Sequence, residues 1–256
     1  RLHRPGASCS VLRHADPSAL QKGVLSTMSR YETVLLDADM TLFDFHRSEQ
    51  EALRNTLQAF NLPWTDSVIQ DYSKINSALW DAFARGEIDQ DFLGAERFAA
   101  LMRVHGGSAD PRKVNHSYEL ALGNTAYLLP GAEEFCRTLS GLGLTLAIAT
   151  NGLPAAQRGR YERTRLNRYI PHLFISMELG AQKPLPAFFD RICEALNLHD
   201  RSRMVMVGDG LTTDILGGNQ AGIDTIWYNP GQLPLTGNAH PTYTAESYDD
   251  ILHFLS

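Results

Sequence analysis

Val34-Leu35-Leu36-Asp37-Ala38-Asp39-Met40-Thr41 joins an apolar run to two aspartates two residues apart. The segment from Tyr31 to Leu36 reads as a strand, and the acidic pair falls where that strand must end. Two carboxylates so placed repel each other unless a divalent cation or a shared proton relieves the repulsion. A solvated strand-to-loop turn with an Asx cap is the ordinary alternative. Three later segments decide between the two readings.

The 256-residue chain is 43% apolar and 20% charged, the balance of a soluble globular protein with one large core or a core plus a smaller domain. Its longest apolar stretch, Leu142 to Ala149, is too short to span a bilayer, so no membrane partner is expected. A net charge of -6 argues against a general nucleic-acid binder and leaves small anions as ligands. Cys9, Cys136 and Cys193 form no CxxC pair and the histidines form no HxxxH or HExxH pattern, so neither a disulfide framework nor a structural zinc site is expected. A reducing cytoplasm fits this usage. Residues 1–29 carry Arg1, Arg4 and Arg13 among Ser, Gly and Pro, with Met28 just before the first strand. They read as a leader or tag-like extension, with an Arg-rich organelle presequence as the alternative.

After the aspartates, four helices are expected. The first carries Leu53, Leu57 and Phe60; the second, after Trp64, carries Val68, Tyr72, Ile75, Leu79 and Phe83 at steps of three and four and stops at Gly86. Asp89 can cap the third, which ends at Gly106-Gly107, and Asp110-Pro111 opens the fourth. Residues 46–128 thus form a helical insert, and residues 30–45 with 129–256 the main domain. From Pro130-Gly131 onward strand and helix patterns alternate: Leu144 to Ala149, Leu153 to Leu166, Leu173 to Ser176, Pro186 to Leu196, Met204 to Val207, Leu211 to Ala221, Thr225 to Tyr228. The fold class is therefore α/β, a Rossmann-like parallel sheet covered on both faces, with an inserted all-helical domain.

Ligands of such sheets bind beyond the carboxyl ends of the strands. Three strands here end in polar clusters, Asp37-Ala38-Asp39, Thr150-Asn151-Gly152 and Gly208-Asp209-Gly210 with Asp214, while Gln182-Lys183-Pro184 lies on a loop between the second and third. Taken in order, Asp37-x-Asp39-x-Thr41, Thr150, Lys183 and Gly208-Asp209 with Asp214 resemble the four motifs of the haloacid dehalogenase-like hydrolases. Leu36-Asp37-Ala38-Asp39, Thr150-Asn151-Gly152, Glu162-Arg163-Thr164 and Asp214-Ile215-Leu216-Gly217-Gly218 are most similar to the house-cleaning pyrimidine 5'-nucleotidases of that superfamily, and the helical insert resembles their C1-type cap.

The resemblance implies a phosphomonoester hydrolase. Asp37 would be the nucleophile that forms an aspartyl-phosphate, and Asp39 the acid that protonates the leaving oxygen and then activates water. Mg2+, or Mn2+, would be held by the Asp37 carboxylate, the Asp39 backbone carbonyl and the Asp209 carboxylate, with Asp214 behind them. Thr150 and Asn151 would hold phosphate oxygens, and Lys183 would supply positive charge to nucleophile and phosphoryl group. Met40 and Gly210 depart from the family pattern, where polar residues are common.

In the cap, Tyr72 and Trp80 are candidates to stack on a base, and Asn76 and Arg97 to meet its polar edges; aromatics at helical spacing equally suit a core. The run Arg158, Arg160, Arg163, Arg165 and Arg168 reads as a solvated helix face rather than a nucleic-acid patch. The expected substrate is a small phosphorylated metabolite, a pyrimidine nucleoside monophosphate, acted on by a monomer or homodimer. Phosphoglycolate or sugar phosphates are the alternatives. Dehalogenation of a 2-haloacid needs neither Asp39 nor Asp209, and a phosphate-sensing protein on a disabled core would lack Asp37 or Asp39.

Overall fold

The structure is a computed structural model that describes residues 30–256, so the reading of residues 1–29 as a leader lies outside the described residues. Its centre is β1 (Thr33–Leu36), four residues buried on both faces. To one side β1 pairs with β2 (Thr145–Thr150), which pairs with β3 (His172–Ile175); to the other it pairs with β4 (Met204–Gly208), followed by β5 (Asp224–Tyr228) and β6 (Tyr243–Ala245). Every pairing is parallel, with Leu35 opposite Ala147 on one side and Met206 on the other. Because the chain goes outward from β1 to β3 and then returns to the far side of β1, the loops after β1, β2 and β4 meet at a topological switch point.

Between β1 and β2 come α1 (Phe45–Ala59), α2 (Asp66–Ala84), α3 (Gln90–His105), α4 (Pro111–Asn124) and α5 (Ala132–Ser140). The first four are each entered through a capping side chain, Asp44, Thr65, Asp89 and Asp110, that accepts from a backbone N–H of the first turn. They enclose their own apolar cluster, built from Leu53, Leu57, Phe98, Leu101, Val114 and Tyr118 among others. A two-stranded neck joins them to the sheet: Leu129 N–H donates to the Leu42 carbonyl and Asp44 N–H to the Tyr127 carbonyl, both at 2.9 Å. α5 is absent from the sequence reading, as are β6 and α10 (Tyr248–Leu255). α5 and α10 cover the sheet through Phe135, Leu139, Ile251 and Leu255.

After β2 the chain forms α6 (Pro154–Arg163), shorter than the expected helix to Leu166. Arg165 turns left-handed at φ 59 and a 3-10 turn, Leu166–Arg168, follows. Ser176, expected in a strand, opens the short α7 (Ser176–Leu179), and α8 (Pro186–Leu196) follows. The segment expected as one helix from Leu211 begins as a π turn, Leu211–Ile215, before α9 (Leu216–Ala221). Single π turns inside helices are frequent at functional sites, and this one redirects Asp214. Among the described residues no helix is long and apolar enough to cross a membrane.

Candidate active site

The ends of β1, β2 and β4 converge with the Lys183 loop on one cavity of about 250 Å³. Lys183 is buried, and its ammonium donates to Asp37 Oδ1 at 2.6 Å, to Asp214 Oδ1 at 2.6 Å and to the Ala149 carbonyl at 2.7 Å. Burial works against its charge, but Asp214 and Asp37 outweigh that cost and raise its proton affinity. The loop is fixed by Asn151, whose side-chain amide donates to the Lys183 carbonyl and accepts from the Lys183 N–H, each at 2.9 Å. Thr150 is buried beside it, and its hydroxyl accepts from Gly152 N–H at 3.0 Å.

Asp37, Asp209 and Asp214 each place an oxygen within 4.8 Å of the others. Burial pushes the Asp37 carboxyl well above its usual range; Lys183 opposes this, and Asp214, Asp209 and Asp39 add to it. Asp209 is pushed up to about 7, by burial and then by Asp214. Were all three ionised, the carboxylates against one ammonium would leave two negative charges in a compact, largely buried site. A hard divalent cation is the group such oxygens accommodate, so the donor set fits magnesium or manganese. Asp214 has both oxygens engaged, Oδ1 on Lys183 and Oδ2 on Gly210 N–H at 3.0 Å, while Asp37 commits Oδ1 and Asp209 lies within 3.5 Å of the Thr41 hydroxyl.

The glycines flanking Asp209 have a physical reason. A Cβ on Gly208 would sit 2.2 Å from Asp214 Oδ2, and one on Gly210 would sit 2.2 Å from Thr213 Oγ1. What approaches that backbone closely is the Asp214 side chain delivered by the π turn.

Asp39 also lines the cavity, with its carboxylate turned to α6. Arg160 Nη1 donates to Oδ1 at 2.6 Å, Arg160 Nη2 to Oδ2 at 3.3 Å, and Gln157 Nε2 to Oδ2 at 2.7 Å. Arg160, read as part of a solvated basic face, is 1% exposed and lies over the Phe43 ring at 4.9 Å. That expectation is corrected. α6 packs on α4 through Gly159 and Gly123, and Arg160 is covered by Asp39 and the Phe43 and Phe45 rings, whereas Arg158 pairs with Glu178.

Trp80, Arg97, Tyr118 and Leu122 of the helical insert, with Phe45 just before it, complete the cavity wall. Arg97 is buried: its guanidinium donates to Asn115 Oδ1 at 3.1 and 2.6 Å and to Asn76 Oδ1 at 3.3 Å, and it stands 4.6 Å over the Tyr118 ring. Asn76 lies off the wall and donates to Glu49 Oε1 at 2.9 Å. Tyr72 is buried among Phe98 and Tyr118, with ring centroids 5.8 and 6.2 Å away, and does not reach the cavity. Of the four cap residues singled out from sequence, Trp80 and Arg97 thus meet the cavity, Asn76 positions Arg97, and Tyr72 is core. Sequence reasoning missed Gln157, Arg160, Glu49 and Tyr118. Gln157 and Arg160 are three residues apart, on one helical face beneath the Asp39 turn, which was the available signal.

The chain belongs to the haloacid dehalogenase-like hydrolase family, whose model matches residues 31–222. It is 36% identical over 225 residues to the pyrimidine 5'-nucleotidase PynA of Streptococcus pneumoniae, covering 88% of this chain and 95% of that one. Identity to the pyrimidine 5'-nucleotidase YjjG of Escherichia coli is 33% over 226 residues, covering 88% and 98%. Among solved structures, the HAD-hydrolase YfnB of Bacillus subtilis, bound to magnesium and described as revealing interdomain movement, superposes with a TM-score of 0.82 at 33% identity, covering 88% of this chain and 99% of that one.

Proposed function

We propose that this protein is a magnesium-dependent phosphomonoester hydrolase that works through an aspartyl-phosphate on Asp37 and takes pyrimidine nucleoside 5'-monophosphates. The observation that carries the reading is the Lys183 ammonium, buried and bonded at 2.6 Å to Asp37 in a cavity that Thr150, Asn151 and Asp209 also line. A carboxylate so paired and so close to other acids is suited to attack phosphorus once cations offset the incoming negative charge.

Asp37 attacks the phosphorus while Asp39 gives a proton to the departing ester oxygen. Asp39 then takes a proton from the water that cleaves the acyl-phosphate, which frees inorganic phosphate and regenerates Asp37. Thr150 Oγ1 and the Asn151 backbone N–H hold phosphoryl oxygens, and Lys183 faces the charge that spreads over them. The Asp37 and Asp209 carboxylates with the Asp39 backbone carbonyl would hold magnesium, and Asp214 would brace them through Lys183 and Gly210. Bound there, the ion supplies positive charge against the phosphoryl group.

The substrate class rests on two supports. Two relatives at 33–36% identity over nearly the whole chain are pyrimidine 5'-nucleotidases. The cavity is walled by Trp80, Phe45 and Tyr118 with the Arg97 guanidinium, aromatic rings beside a cation, which suits a base with carbonyl edges. Phosphate release from a panel of monophosphates with and without magnesium tests the proposal. UMP, dUMP or dTMP should be preferred and magnesium required; uniformly faster turnover of phosphoglycolate or sugar phosphates would reject the narrow reading.

A further inference from the structure

We infer that Gln157 and Arg160 are positioning residues for Asp39: together they fix where its carboxylate points, and so whether a proton can reach the leaving oxygen. The inference deepens the proposed function and rests on its reading of Asp39 as the acid.

Three observations meet here. First, the two side chains converge on one carboxylate from successive turns of α6. Gln157 Nε2 lies 2.7 Å from Oδ2, and Arg160 spans both oxygens at 2.6 and 3.3 Å. A fork of this kind sets the plane of a carboxylate as well as its place, which a single contact does not. Second, both residues are 1% exposed, and the side-chain hydrogen bonds of both go to Asp39, with Arg160 also lying 4.9 Å over the Phe43 ring. Gly152 makes room for the arrangement: a Cβ there would stand 1.9 Å from Gln157 Nε2. Third, α6 is braced from behind. A Cβ on Gly159 would meet the Gly123 carbonyl at 2.7 Å, and one on Gly123 would meet the Ala155 carbonyl at 2.9 Å. Leu153 and Ala156 enter the apolar cluster of the helical insert, and Arg163 donates to Asn124 Oδ1. With so little play in the helix, the two donors are pre-organised rather than recruited.

Each carboxylate oxygen offers about two acceptor directions. Oδ2 receives two of the donated bonds and Oδ1 receives one, so one direction on Oδ1 stays unfilled.

Leaving-group dependence separates positioning from bulk structural damage. A nucleoside alkoxide needs a proton to depart, whereas p-nitrophenolate leaves as a stable anion. In single-turnover measurements of phosphoenzyme formation, Arg160→Met and Gln157→Met should slow the reaction of UMP roughly ten- to hundredfold and that of p-nitrophenyl phosphate by less than about threefold. Gln157→Met keeps buried volume and is the milder variant should Arg160→Met lose its circular-dichroism signature. Asp39→Asn is the control for the underlying reading: it must show the same split between substrates. Absence of a split in Asp39→Asn removes Asp39 as the acid, whatever Arg160 does. A split in Asp39→Asn with equal losses on both substrates in folded Gln157→Met and Arg160→Met overturns the positioning role.

Discussion

Asp214 sends Oδ1 to within 2.6 Å of the Lys183 ammonium, and that contact joins the π turn after β4 to the Lys183 loop. Both side chains are 2% exposed, so the pair is desolvated and each partner depends on the other. Taking one member from a buried ion pair leaves the other uncompensated. Here Lys183 keeps its 2.6 Å bond to Asp37 while Gly210 N–H loses its acceptor, so Asp214→Ala should cost about 1–3 kcal/mol in urea unfolding without metal, and Asp214→Asn less because it still fills the space and accepts from Gly210 N–H. Equal stability of the wild type and Asp214→Ala would mean that Asp37 alone satisfies Lys183.

Asp37→Asn keeps the shape of the side chain and removes the attacking charge. Turnover should vanish and no phosphorylated protein should be trapped by acid quench in mass spectrometry, while the melting temperature stays near or above the wild-type value because one of several crowded carboxylates has gone. Substantial residual turnover would move the nucleophile elsewhere.

The core motifs were readable in the sequence because a strand end converts sequence adjacency into spatial adjacency. Once Leu36, Thr150 and Gly208 are recognised as the ends of parallel neighbours, the polar residues after them have to meet. Gln157 and Arg160 were not readable in that way. Five arginines spread over residues 158–168 look like a solvated face, and what covers Arg160 is Asp39 with the Phe43 and Phe45 rings, contributed from far earlier in the chain. The cap suffers from the same limit: Tyr72, Asn76 and Trp80 recur at helical spacing, yet periodicity alone does not say which flank of α2 looks onto the cavity and which packs on Phe98. The C-terminal α10 did carry a local signal, Ser247 with Asp250 three residues on, and the structure shows that pair as a capping box.

Asp209 gives a pH dependence whose sign can be worked out. Burial and then the neighbouring Asp214 push its carboxyl up to about 7 in the folded, metal-free protein, well above the unfolded value. The folded state therefore binds more protons than the unfolded chain in the interval between the two values. This contribution to stability is complete at acid pH and is lost as pH rises through about 7. A divalent cation competes with that proton, so magnesium should raise the melting temperature more at about pH 8 than at about pH 6. A stabilisation by magnesium that is equal or larger at the lower pH would contradict Asp209 as a ligand.

Trp80 is half-buried, edge-on to Phe83 at a centroid distance of 5.5 Å, and borders the cavity. If it receives the base, Trp80→Ala should raise KM for UMP about tenfold, equivalent to ~1.4 kcal/mol, and leave the kinetics of ribose 5-phosphate nearly unchanged. A parallel loss on both substrates would assign Trp80 to cap packing alone.

The two glycines around Asp209 should behave differently although each is blocked by a side chain. At Gly208 the added methyl would meet Asp214 at Oδ2, Cγ and Cβ, at 2.2, 2.4 and 2.7 Å, so the whole side chain has to shift and its bond to Lys183 goes with it. At Gly210 the nearest atom is Thr213 Oγ1, the tip of a side chain that can rotate, and Asp214 Oδ2 stands further off at 3.0 Å. Gly208→Ala should then carry the overpacking cost of about 1–3 kcal/mol and a large fall in kcat. Gly210→Ala should be nearer neutral in stability and weaken magnesium binding only modestly. The comparison isolates the placement of Asp214, because neither substitution alters a charged group. Equal effects of the two on kcat would show that the space around Asp209, rather than the Asp214 contact to Lys183, is what the site requires.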